Sequence, residues 1–151
     1  MTGMQDLYRE LILDHSRTPR HFGSLEDATH TADGINVLCG DRLTLYVQVD
    51  DQGLIRRSSF DGSGCAISVA SASLMTSAIT GLHVNRAESC IDEIAARLTD
   101  GADGGDVSPE LEKLVALDGV RRYPGRVKCA TLSLRTLHAA LNDDGTPATT
   151  D

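Results

Sequence analysis

The sequence predicts a single domain of mixed helix and strand. The signals are helical spacing of apolar residues across Met4–His15, strict alternation across Leu43–Val49 followed by a turn, and helical periodicity after both Cys65 and Cys129. At 151 residues and 40% hydrophobic, the chain is long enough for one ordinary core and too short to expect two. The domain is expected over residues 1–141, with a flexible C-terminal tail over 142–151, where Asp, Gly, Thr and Pro replace the apolar pattern.

In the first helix Leu7, Tyr8, Leu11 and Ile12 share a face, and Arg17-Thr18-Pro19-Arg20 ends it because proline resists continuation. A weaker pattern around Thr29–Val37 suggests a strand. Leu43, Leu45, Val47 and Val49 then alternate with polar residues, Asp50-Asp51-Gln52-Gly53 supplies the turn, and Leu54–Phe60 returns as the paired strand. From Ala66 to Thr80, Ile67, Ala70, Leu74 and Ala78 keep one helical face of small residues suited to close approach to a sheet, and Gly81 ends that helix. Val84–Leu98 is the next helix, Asp100–Asp106 a polar loop, and Ser108-Pro109 an N-cap and first turn leading a short helix to about Leu117. Cys129 is expected to open the last helix, with Leu132, Leu134, Leu137, Ala140 and Leu141 available for packing.

A formal charge of −8 argues against nucleic acid or an anionic membrane as partner, because long-range attraction to phosphate has the wrong sign. No apolar run approaches a transmembrane span, and the first residues carry neither the basic start nor the apolar stretch of a secretory signal, so the expected location is cytoplasmic. In that compartment thiols stay reduced, and four cysteines then point to metal binding or thiol chemistry rather than disulfides.

Cys39, Cys65 and Cys129 sit where the chain changes direction, and with Asp41 they supply three thiolates and a carboxylate, a full tetrahedral set for zinc. Cys65 and Cys129 are expected at helix starts, where the macrodipole favours the thiolate. Zinc with this set carries an excess of negative charge, which the cations Arg126 and Lys128 would make less costly. Cys90 lies within a helical pattern and reads as a small packed hydrophobe. His15, His21 and His83 read as surface or capping residues. Gly62 and Gly64 read as backbone turning into Cys65, since no lysine followed by serine or threonine completes a phosphate loop.

The strings Leu7-Tyr8-Arg9-Glu10-Leu11-Ile12-Leu13-Asp14-His15, Cys39-Gly40-Asp41, Gly62-Ser63-Gly64-Cys65-Ala66-Ile67-Ser68 and Arg126-Val127-Lys128-Cys129-Ala130-Thr131-Leu132 occur in that order. Together they resemble the SufU branch of the IscU-like iron–sulfur cluster assembly family, over the chain from about Met4 to Leu141. Lys128 stands where the scaffold branch of that family typically has histidine, and the long segment Leu82–Val107 resembles the extra length of the SufU branch. Val37 departs from the family's usual proline two residues before the first site cysteine, and Leu134 lies where the last helix commonly carries an aromatic.

The resemblance implies an α+β fold with a small three-stranded antiparallel sheet packed by helices. It implies a zinc-dependent sulfurtransferase in which Cys39 accepts persulfide sulfur from a SufS-type cysteine desulfurase and passes it to downstream iron–sulfur assembly machinery. The pyridoxal phosphate would belong to that partner. The alternatives are a scaffold that builds an iron–sulfur cluster on the same cysteines and a purely structural zinc module.

Overall fold

The computed structural model describes residues 3–37, 40–99, 107–142 and 148–149. Their order is α1 (Gly3–Arg17), β1 (His30–Asn36), β2 (Asp41–Val49), β3 (Ile55–Ser63), α2 (Ala66–Ile79), α3 (Val84–Thr99), a 3-10 segment (Pro109–Arg122), α4 (Pro124–Leu141) and β4 (Ala148–Thr149). This is the α+β class expected. The polar loop expected over Asp100–Asp106 lies outside the described residues.

The three predicted strands form an antiparallel meander, and β4 adds two residues in parallel at the outer edge of β1, giving the order β3-β2-β1-β4. That short strand falls within the segment expected to be a flexible tail; the rest of the tail beyond Asn142 lies outside the described residues. The hairpin between β2 and β3 is set by Asp50, whose Oδ1 accepts the backbone N–H groups of Gln52 at 2.9 Å and Leu54 at 3.0 Å. Local capping of this kind is why aspartate favours such turns.

The period of two decides which side chains enter the core. In β2, Leu43, Leu45 and Val47 are buried, and Asp41 is in phase with them; in β1, Ala32 and Gly34 are buried, and Asn36 is in phase with these. A carboxylate and an amide therefore point into the protein at the same end of the sheet, where Asn36 and Asp41 are cross-strand partners. Helices α2 and α4 pack together and onto the strands, and the core between them includes Leu45, Phe60, Met75, Ile79, Leu132 and Leu137.

Helix α2 departs from the expected single buried face. Residues 70–76 are buried without interruption, so the helix runs through the middle of the domain. Its small side chains allow this, and its hydroxyls find partners: Ser71 donates to the Ala130 carbonyl at 2.6 Å and Thr76 to the Ala72 carbonyl at 2.8 Å. His15 is not a surface residue either. It is buried, its Nδ1 lies 2.7 Å from the Ser73 hydroxyl, and burial holds its pKa below the ordinary imidazole value. His83 does cap, accepting the Asn85 N–H on Nδ1 at the start of α3, and His21 takes a left-handed backbone conformation (φ 59°).

Two further expectations shift. The short helix after Ser108 is a 3-10 segment that continues to Arg122, and the Ser108 hydroxyl donates to Glu93 instead of capping it. Arg97 and Asp118 then pin this segment to α3 through a short, largely buried ion pair of 2.7 Å. The final helix starts at Pro124 rather than at Cys129, because proline at the first helical position gives up an N–H that has no partner there anyway. Cys90 is fully buried in α3, as its place in an amphipathic helical pattern leads one to expect.

Candidate metal centre

Asp41, Cys65 and Cys129 converge from three elements. Asp41 opens β2, Cys65 is the N-cap of α2, and Cys129 lies in the second turn of α4. One ligand atom from each lies within 4.8 Å of the others. Tetrahedral zinc, with bonds near 2.0–2.3 Å, sets donor separations of roughly 3.4–3.8 Å, so about an ångström of contraction brings these atoms into one coordination sphere. Two sulfurs and a carboxylate oxygen are donors that zinc accepts, and the set fits that ion with one position left to fill.

Asp41 is fully buried and already bonded. Its Oδ1 accepts the Cys65 backbone N–H at 2.8 Å, and its Oδ2 accepts the Ser68 hydroxyl at 2.7 Å. The carboxylate therefore satisfies the N–H of the N-cap residue itself, whose own side chain makes no cap hydrogen bond, and its negative charge sits at the positive end of the α2 dipole. Each oxygen retains a lone pair beyond its hydrogen bond, so capping and ligation are compatible. Gly62 and Gly64 make this approach possible. Gly62 has φ 127°, and a Cβ on Gly64 would lie 2.7 Å from Asp41 Oδ1.

Cys129 is buried, and Asn36 Nδ2 lies 3.9 Å from its sulfur. Its sulfur is also 3.7 Å from the Gly125 carbonyl of the preceding turn. The expected placement of Cys129 at a helix N-terminus, with thiolate stabilised by free N–H groups, is thus not the arrangement found: its environment is an amide and a neighbouring cation. That cation is Arg126. Hydrogen bonding to Cys129, with the charge of Cys65 next in effect, raises the guanidinium pKa above its ordinary value. Arg126 faces both thiols from the exposed side of α4, where it offsets charge on the donors. Lys128 is half-buried in the same turn and makes no side-chain hydrogen bond or ion pair among the described residues.

Cys39 lies outside the described residues, in the connection that leaves β1 at Asn36 and enters β2 at Asp41. Two buried residues that contact the cluster, Asn36 and Ser68, were not singled out from the sequence as part of the site. The signal for Asn36 was its polar side chain in a core phase of β1, and for Ser68 its place one helical turn after Cys65.

Residues 7–130 match the family described as the NifU-like N-terminal domain. A "Zinc-dependent sulfurtransferase SufU" of Bacillus subtilis (strain 168) is 40% identical over 134 residues, spanning 89% of this chain and 88% of the relative. An "Iron-sulfur cluster assembly scaffold protein IscU" of Thermotoga maritima is 38% identical over 141 residues, spanning 93% and 96%. Among solved structures, a SufU of Fervidobacterium islandicum AW-1, described as a scaffold protein for the SUF system, superposes with a TM-score of 0.77 at 33% identity, covering 93% of this chain and 99% of that one. The N-terminal part of a NifU-like protein from Brucella abortus shares the fold, with a TM-score of 0.81 at 21% identity.

Proposed function

The chain belongs to the NifU-like N-terminal domain family of iron–sulfur cluster assembly proteins, and from that premise we propose that it is a zinc-dependent sulfurtransferase. The observation that carries this reading is the convergence of Asp41, Cys65 and Cys129 on one point, with Cys39 two residues before Asp41 and Lys128, a poor ligand, where a histidine ligand would otherwise stand. The similarity to the Bacillus SufU supports it.

Asp41, Cys65 and Cys129 would hold zinc with Cys39 as the fourth ligand. The ion, when bound, supplies charge that keeps thiolates deprotonated at neutral pH. Cys39 is the acceptor. Its thiolate attacks the terminal sulfur of a persulfide on a SufS-type cysteine desulfurase; a new S–S bond forms on Cys39, the desulfurase's own S–S bond breaks, and its cysteine leaves as a thiolate. Arg126 stands beside the site to offset the anionic charge of incoming and leaving sulfur. The sulfur then passes to downstream iron–sulfur assembly machinery.

A scaffold role is the second reading, favoured by the similarity to the Thermotoga scaffold protein. A desulfurase turnover assay separates the two. Zinc-loaded protein accelerates cysteine turnover in the first reading. No stimulation by the zinc form, with a stable cluster formed on anaerobic iron loading, would favour the second.

A further inference from the structure

Ser68 contacts every described member of the metal centre. Its hydroxyl donates to Asp41 Oδ2 at 2.7 Å, lies 3.7 Å from Cys65 Sγ, and is 3.3 Å from the backbone carbonyl of Cys129. The residue is fully buried, one turn into α2, so no water competes for these contacts. A hydroxyl has a single proton, and the shortest, charge-assisted contact takes it. The 3.7 Å contact with Cys65 is one in which a protonated thiol donates to the Ser68 oxygen, so it is the Asp41 bond that persists when the thiol is ionised.

We propose that Ser68 is the positioning residue of the metal centre: it fixes the rotation of the Asp41 carboxylate so that an oxygen lone pair is presented to the ion. This rests on the zinc reading given above. The carboxylate is held at two points that differ in kind. The Cys65 N–H anchors Oδ1 to the start of α2, and the Ser68 hydroxyl sets how far the group turns about that anchor. Without the hydroxyl, Oδ2 loses its only hydrogen bond to a side chain among the described residues, and the carboxylate turns about its remaining contact. Ser71 provides a matched control. It is a buried hydroxyl on the same helix, but it bonds to the Ala130 carbonyl and to Ser133, at 2.6 and 2.9 Å, and to no ligand atom.

The test is a double-mutant cycle read by zinc affinity under chelator competition and by the absorption spectrum of the cobalt-loaded protein. Ser68→Ala is expected to weaken zinc binding about 10–100-fold and to shift the cobalt bands. On an Asp41→Ala background the same substitution is expected to change affinity by less than about threefold, because its effect runs through the carboxylate. Ser71→Ala is expected to leave affinity and spectrum at wild type. Wild-type affinity in Ser68→Ala, or an equal loss with and without Asp41, overturns the positioning role while leaving the zinc reading intact. A wild-type chain that binds no zinc overturns both. Should Ser68→Ala fail to fold, the Ser68 hydroxyl proton of the zinc-loaded wild type is followed by NMR: slow exchange with solvent supports the bond to Asp41, and rapid exchange overturns it.

Discussion

Asp41 combines an observed hydrogen bond to the start of α2 with a proposed ligand role in one carboxylate, and substitution separates them. Asp41→Ala removes the acceptor of the Cys65 N–H, so the metal-free protein should lose about 0.5–2 kcal/mol in a denaturant titration. The zinc-loaded form should lose more, with cobalt spectra altered by the missing oxygen. Equal losses with and without metal would remove Asp41 from the coordination sphere. Cys90 makes the opposite case. Burial pushes its thiol pKa up, and a serine there would replace a buried thiol with a more polar hydroxyl. Cys90→Ser should therefore cost about 1–3 kcal/mol of stability, yet transfer sulfur normally per folded molecule. Loss of transfer from a folded Cys90→Ser protein would assign that thiol a chemical part.

At the scale of elements, β2 is readable because one face of it meets the core: Leu43, Leu45 and Val47 announce it by alternation alone. The same alternation reaches Asp41 and Asn36, and reading it to its end marks both as buried polar groups that need partners. The sequence pattern starts α4 at Cys129, whereas Pro124 is the first helical residue and Cys129 sits one turn deeper. Helix α2 hid its central position because serine and alanine show no polar face to contrast with an apolar one. The 3-10 segment was foreseen only as a short helix, since its hold on α3 comes from contacts distant in sequence: Arg97 to Asp118, and Arg86 to Glu110. The second pair gives a pH prediction. The Arg86 hydrogen bond lowers the Glu110 pKa from 4.5 to about 2, so the folded state favours the ionised carboxylate. Its contribution is present above about pH 4.5 and lost as pH falls toward 2. Glu110→Gln should melt below wild type near neutrality, and the two curves should converge in acid. A gap that persists at about pH 2 would mean the difference is not electrostatic.

Across the whole molecule, the candidate metal centre joins the start of β2, the start of α2 and the second turn of α4, so an ion bound there would bear on how these elements meet. Free zinc at 100 times its dissociation constant would add about 2.7 kcal/mol to folding, and chelation should lower the melting temperature accordingly. An unchanged melting temperature after complete metal removal would contradict a centre built on these three elements. The chain carries a charge of −8, and among the described residues no helix is long and apolar enough to cross a membrane. The acidic surface leaves Arg126, beside the thiols, as a local positive feature at the place where sulfur is proposed to arrive.

The most direct test of the account is the fate of one sulfur atom. Zinc-loaded wild type and Cys39→Ser are each incubated with a SufS-type desulfurase and cysteine, then separated and weighed intact by mass spectrometry, with peptide mapping of the labile sulfur. The account predicts one added sulfur on Cys39 of the wild type and none on Cys39→Ser, with zinc still partly retained by Asp41, Cys65 and Cys129. Equal sulfur uptake by both proteins, or none by the zinc-loaded wild type, would contradict it.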